Sequence, residues 1–297
     1  MNVQVIAPGS CGELVQGTID DQAFLVTCPV DLYSRVTVST ESLPGKFPAA
    51  DPKTLAAVEK TKEYFGRLQD KLQVAVCSDL PVGKGMASSS ADISAACLAA
   101  ALCLGQQLTC DEIADLALAI EPTDGIFYNG IVMFDHVEGR IRRPLGQPPD
   151  IQIAVFDAGG EVDTLCFNRR SDLARLNREK EPLVRQALDL VSRGLAQGDA
   201  SLIGQGATLS ARANQSILFK PCLEMMADKA QEYGAIGITA AHSGTVLGLM
   251  FNGAAAAALP ECVAAVSSYC PEIRYLQTVR LISGGLRVEE ANNETAG

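Results

Sequence analysis

The chain lacks tryptophan, has two histidines, and draws only 5% of its residues from the aromatics. His136 and His242 stand far apart and share no carboxylate-rich stretch, so the sequence offers no histidine metal cluster. Positive charge is scarce: 24 Lys and Arg stand against 35 Asp and Glu, a formal net charge of −11. A nucleic-acid surface needs concentrated Lys and Arg, so no nucleic-acid partner is expected. A small anionic ligand is still allowed, because backbone N–H groups, a helix dipole and a metal ion can hold a nucleotide in an acidic protein. Long hydrophobic runs are missing as well. The longest nearly apolar stretch, Ile93 to Leu104, is short of the roughly 20 residues that span a bilayer, so no membrane partner is expected. The opening MNVQVIAPGSCGE has neither the basic nor the apolar region of a secretory signal, and the expected location is cytoplasmic. The ten cysteines include no CxxC pair and no zinc spacing. Cys97, Cys103 and Cys166 lie inside apolar runs and read as reduced, packed side chains.

With 297 residues, 47% of them apolar, the chain can bury a large core without disulfides. Its length suits about two domains of roughly 150 residues each. Gln147-Pro-Pro-Asp150 marks the boundary, because consecutive prolines stop helices and favour extended linkers, giving domains 1–148 and 149–297. In the first half, Val3–Ala7, Ala23–Val30, Ser34–Ser39, Leu72–Cys77 and Tyr128–His136 read as strands. Pro52–Leu68, Ser88–Leu104 and Cys110–Ile120 read as helices, the last with Thr109 as N-cap and Glu112 as its partner. In the second half, Ile151–Phe156, Gly237–Ala241, Val246–Phe251 and Glu272–Val279 are expected strands. Ser171–Gly198, Ser201–Ser210, Pro221–Tyr233 and Ala254–Tyr269 are expected helices, and the tail from Glu289 is expected to fray. This order suits an α/β (α+β) chain whose second half is an antiparallel sheet with helices on one face. The oligomeric state stays open, a homodimer included.

The most informative segment runs from Leu72 to Asp92. A strand enters a loop with Pro81, Gly83 and Gly85, then Ser88, Ser89 and Ser90 open a helix. Glycines allow close backbone approach to a ligand, and the helix start offers free N–H groups in positive potential, so the segment has the makings of a phosphate site. The serines can cap the helix or ligate a phosphate-bound magnesium ion. Walker A spacing is absent, and Gly83-Lys-Gly-Met-Ala-Ser88 has serine where a dinucleotide loop needs its third glycine. A plain serine-capped turn is the structural alternative.

Pro81-Val-Gly-Lys-Gly-Met-Ala-Ser-Ser-Ser-Ala91 resembles the PxGxGLGSSAA motif of the GHMP kinases, with Met86 and Ala87 in place of Leu and Gly. Ala7-Pro-Gly-Ser-Cys-Gly-Glu-Leu-Val-Gln-Gly17 resembles the first motif of that family, and Gly237–Gly248 occupies the place of the third. There Ala241, His242 and Ser243 replace most of the usual glycines. The first motif, Thr27-Cys-Pro-Val30 and Phe156–Thr164 are most similar to the L-threonine kinases of cobalamin synthesis and salvage.

The resemblance implies ATP and Mg²⁺, small-molecule substrates, and transfer of the γ-phosphate to a side-chain hydroxyl. It also implies a two-domain fold with a left-handed βαβ crossover in the first domain and a ferredoxin-like sandwich in the second. Pro81, Gly83, Lys84, Gly85, Met86, Ala87, Ser88, Ser89 and Ser90 become the ATP and phosphate site. Ser89 and Glu121 become the metal ligands. Asp124 either accepts the hydroxyl proton or orients the acceptor. Glu13, Gln16, Gly17, Ser243 and Gly244 become the acceptor site, with Glu13 either pairing an ammonium group or steadying a turn. Lys84 is either a phosphate contact or solvated. Asp31 and Asp157 are strand-end acids of open role, and Arg212, Asn214 and Gln215 suit a helix surface better than the cleft. A nucleotide-binding regulator of the same fold, an NAD(P)-dependent oxidoreductase and a kinase for homoserine or another small alcohol are the competing readings.

Overall fold

The computed structural model describes residues 1–43, 50–160, 170 and 172–290. Among them, ten strands form one sheet in the order β5-β4-β2-β1-β7-β8-β6-β9, with β10 also pairing β1 and β3 also pairing β2. The strands are β1 (Asn2–Ile19), β2 (Gln22–Ser39), β3 (Gln73–Ser78), β4 (Ile131–Phe134) and β5 (Arg142–Gly146). They continue with β6 (Gln152–Asp157), β7 (Gly237–Ala240), β8 (Val246–Phe251), β9 (Arg274–Arg280) and β10 (Arg287–Glu290). The helices are α1 (Pro52–Tyr64), α2 (Ser88–Cys103), α3 (Cys110–Leu118), α4 (Leu173–Gln197), α5 (Ala200–Ala213), α6 (Leu223–Glu232) and α7 (Leu259–Tyr269).

β1 and β2 form an 18-residue antiparallel pair, longer than the strands expected there. The first glycine motif therefore lies within a strand, and three register breaks between Pro8 and Val15 bend it. Val3, Val5 and Ala7 at one end of β1 pack with α1, α2 and α3. Cys11, Leu14 and Val15 at the other end pack with α4 and α5. One strand thus belongs to two cores. The ladder also crosses between the two halves of the chain, where Glu13 on β1 pairs Ala240 on β7.

α2 is alanine-rich, and Ala91, Ala95, Ala96, Ala99 and Ala100 are all fully buried. α3 starts with the expected capping box between Thr109 and Glu112. In the second half, Ile153 and Val155 of β6 pack with α4 and α5, whereas Ala154 and Phe156 pack with α6 and α7. Helices therefore cover both faces of this part of the sheet, not one. The sequence shows why: β6 and β8 read as continuous apolar runs, and every residue of β8 is buried. The expected helix over Ala254–Tyr269 is a 3₁₀ segment (Gly253–Ala258) followed by α7. Glu289 belongs to β10, and the tail beyond Glu290, the segment 161–169 with Cys166, and Ser171 lie outside the described residues.

Candidate active site

Three backbone loops meet at the start of α2. Lys84 O accepts from Thr245 N–H at 2.9 Å and Val246 N–H at 3.1 Å, and Met86 O accepts from Ser10 N–H at 3.0 Å. The contact is too close for side chains. A Cβ on Gly85 would lie 2.5 Å from Ala241 Cβ, and one on Gly244 would lie 2.3 Å from Gly85 Cα. Gly83 differs: a Cβ there meets nothing within 4 Å, and only its positive φ of 73° calls for glycine.

Ala87 is the N-cap of α2 and is itself left-handed, at φ 56° and ψ 26°. A left-handed alanine costs about 1 kcal/mol relative to glycine, which accounts for the family's preference for glycine here. No side chain caps α2, so of the two roles open to Ser88 and Ser90 the cap is not taken. The serines face the cavity instead.

That cavity has a volume of about 360 Å³. Gly83, Gly85, Met86, Ala87, Ser88, Ser89 and Ser90 line one wall. Lys53, Glu121, Pro122, Thr123, Asp124 and His136 line the other, and Leu25, Val82 and Ser243 complete it. Ser89 Oγ donates to Glu121 Oε1, and Lys53 Nζ sits 2.6 Å from Glu121 Oε2. Glu121 thus holds a hydroxyl and a cation together. This is a hard-oxygen pair suited to Mg²⁺, with an ammonium already drawn to the same charge.

Ser90 Oγ donates to Asp124 Oδ2 at 3.1 Å and accepts from Asp124 N–H at 3.0 Å. Burial, reinforced by the charge of Glu121 and opposed by the Ser90 hydrogen bond, pushes the Asp124 carboxyl up to about 6. Glu13, buried beside Asp124, is raised well above the usual carboxylate range by burial first and by the Asp124 charge second.

The two histidines, remote in sequence, meet edge to face with ring centroids 5.2 Å apart. Burial drives both toward the neutral form, His136 down to about 4. Gln16 donates through Nε2 to Ala240 O at 3.0 Å, so its Oε1 faces His242 Nδ1 at 3.0 Å, and that nitrogen carries the hydrogen.

Residues 53–129 match the family described as GHMP kinases N terminal domain. The L-threonine kinase of Salmonella typhimurium is 35% identical to this chain over 250 residues, which cover 82% of this chain and 81% of that protein. The chain belongs to the GHMP kinase family. An L-threonine kinase from Citrobacter freundii is 34% identical, over 82% of this chain and 85% of that protein. A homoserine kinase from Cytophaga hutchinsonii shares the fold with a TM-score of 0.68 at 17% identity, covering 97% of both chains. The mixed α/β fold is that of the GHMP kinases.

In this GHMP kinase several residues singled out from the sequence stand away from the cavity. Lys84 Nζ pairs with Asp157 Oδ2 at 3.0 Å and donates to Gly160 O at 3.1 Å. Asp157 Oδ1 also accepts from Thr245 Oγ1 at 2.6 Å. Burial of Asp157 is outweighed by these hydrogen bonds, and its carboxyl is held below the usual range. Gln16 ties β1 to β7 and accepts nothing from the cavity, while Gly17 lies under α4 against Val184. Pro81 and Gly244 shape the loops without lining the cavity. Asp31 accepts from the Arg280 N–H at 2.6 Å. Arg212 pairs with Glu224 on the surface, whereas Asn214 is buried and accepts from Lys180 Nζ at 2.7 Å.

Lys53, Thr123 and His136 line the cavity of this kinase and carry no motif that announces them. Far from it, Cys222, Cys270 and Glu272 bring their ligand atoms within 4.8 Å of one another, a group the cysteine spacing did not foreshadow.

Proposed function

We propose that this GHMP kinase transfers the γ-phosphate of ATP to the side-chain hydroxyl of L-threonine, giving O-phospho-L-threonine, a precursor for cobalamin assembly. The similarity to two L-threonine kinases over four-fifths of the chain carries the acceptor assignment. The first glycine motif supports it.

The geometry suits the chemistry. Phosphoryl transfer asks for positioning and charge neutralisation more than covalent help. The glycine loop and the first turn of α2 offer backbone N–H groups for phosphate oxygens. Ser89 and Glu121 would hold Mg²⁺, which when bound neutralises charge on the phosphates. Lys53 adds a cation on the same side. Asp124, held by Ser90 and with its proton affinity raised by burial, would orient the acceptor hydroxyl or take its proton late in transfer. Glu13 supplies a buried acid for the acceptor's ammonium.

The test is ADP release with L-threonine, L-serine, L-homoserine, mevalonate and galactose. Threonine should exceed serine by about tenfold or more, because burying one methyl group is worth about 1–3 kcal/mol. Homoserine should be poor, since its hydroxyl reaches one carbon further and falls out of line with the γ-phosphate. A preference for homoserine or for an alcohol without an amino group overturns the threonine assignment. Tight ATP binding with no acceptor-dependent ADP release overturns the kinase reading in favour of a regulator.

A further inference from the structure

Buried polar atoms without a hydrogen-bond partner are costly, and folded proteins keep few of them. Among the described residues they are Glu13 Oε2, Thr18 Oγ1, Thr27 Oγ1, Thr123 Oγ1 and His136 Nδ1. All but Thr18 lie in the wall that carries Asp124 or directly behind it. Thr123 precedes Asp124 in the chain and donates its N–H to His136 O at 3.0 Å, and all three residues line the cavity. Glu13 lies close enough to Asp124 for the two carboxyls to repel. Thr27 faces Glu13 across the β1–β2 ladder, two residues beyond the cavity-lining Leu25 on the same face of β2, and its hydroxyl is turned toward the Glu13 carboxyl, which it helps to hold in the charged form against burial. Each of the four is more than nine-tenths buried.

We propose that Thr27, Thr123 and His136, together with Glu13, form the subsite that reads the acceptor. The inference rests on the threonine-kinase reading and extends it to residues outside the three glycine motifs. Two acids, two hydroxyls and one imidazole need a ligand that brings a positive group together with short hydrogen-bonding arms. A small amino acid with a side-chain hydroxyl has that make-up. A sugar or mevalonate brings no cation and would leave Glu13 and Asp124 facing each other with no positive charge between them. His136 contributes as a neutral ring, since burial strongly disfavours its charged form. His242 is a positioning residue. Pinned through Nδ1–H to Gln16, it presents its ring to that of His136 and fixes the angle at which His136 meets the cavity.

The sharpest test is Thr123→Val, which keeps the shape and removes the unpartnered hydroxyl. The proposal expects opposite effects on stability and affinity: the ligand-free melting temperature rises or holds, while KM for L-threonine increases about tenfold and KM for ATP stays within twofold. Thr27→Val should behave alike, and provides the same reading if Thr123→Val folds poorly. His136→Phe should raise the threonine KM, and His136→Asn should recover part of the loss by restoring a polar atom. His242→Phe should raise it less. A second readout is the shift in melting temperature that L-threonine adds in the presence of a non-hydrolysable ATP analogue, which the valine variants should lose while keeping the shift from the analogue. Wild-type turnover of threonine together with an unchanged threonine KM in both valine variants overturns the subsite and leaves the kinase standing. A wild-type protein that does not turn over threonine overturns the reading beneath it.

Discussion

The two walls of the cavity are made of different material. One is backbone: the 83–87 loop and the first turn of α2, pressed against the 241–245 loop so closely that Gly85 and Gly244 leave no room for a Cβ. The other is side chain: Glu121, Thr123, Asp124 and His136, with Glu13 and Thr27 behind them. A phosphate chain is common to many reactions, and a cradle of N–H groups binds it without regard to what accepts the phosphate. An acceptor is particular, and only side chains can discriminate one small alcohol from another. The division explains why the loop residues form one continuous motif while the residues proposed to read the acceptor come from β1, β2 and the segment between α3 and β5.

The largest effect should fall where the two walls meet. Ser89 belongs to the loop wall and Glu121 to the other, and their hydrogen bond is the seam. Ser89→Ala and Glu121→Gln should each lower kcat roughly a hundredfold, or about 3 kcal/mol in transition-state stabilisation, with the melting temperature little changed. Steady-state ADP release across a magnesium titration checks this. Unchanged turnover in both variants at limiting magnesium removes them from the metal site.

The loop wall should answer to backbone geometry alone, and its two glycines should separate. Gly85→Val forces a branched side chain into Ala241 and Gly244 at positive φ, so both ATP affinity and melting temperature should fall, with overpacking worth about 1–3 kcal/mol. Gly83→Ala meets open space and bears only the left-handed penalty of about 1 kcal/mol. ATP titration and thermal melts compare the two. Equal behaviour would mean that the contact with the 241–245 loop plays no part.

The side-chain wall should show a pH dependence that the loop wall lacks. Asp124 holds its proton to about pH 6 in the folded protein, against 3.8 for the ordinary group. The folded state therefore binds that proton more tightly than the unfolded chain does, so stability falls as pH rises from about 3.8 to about 6, and the full penalty is present above pH 6. In metal-free protein, Asp124→Asn should raise the melting temperature by a few degrees at pH 8 and by much less near pH 3, where both states are largely protonated. A gain independent of pH would show that Asp124 is not held as an acid of raised affinity.

Much was legible in the sequence because it is local. Strand Gln73–Ser78, the glycine turn and the buried alanine-rich helix follow one another without interruption, and each is fixed by residue type: β-branched alternation, glycine at positive φ, small apolar side chains. Thr109 and Glu112 announced a helix start for the same reason. Glu121 and Ser89 were legible through family resemblance, and the fold joined them by hydrogen bond. The 18-residue β1–β2 pair was not legible, because Pro8, Gly9 and Gly12 look like a break, and only the partner strand turns them into bulges. Helices on both faces of β6 were missed because an apolar run does not say which element covers each side.

By itself the sequence determined the glycine loop, the helix that follows it and the family. Backbone conformation and helix-end potential depend on neighbours within a few residues, so a linear pattern can state them in full. Tertiary structure alone decided that His136 and His242 touch, that Lys53 reaches Glu121, that Lys84 turns to Asp157, and that Glu13 and Thr27 come together across the β1–β2 ladder behind Asp124. Hydrogen bonds and charge interactions act over a few ångströms, and the distances that govern them are set by how β1, β2 and the α3–β5 segment pack, not by their separation along the chain.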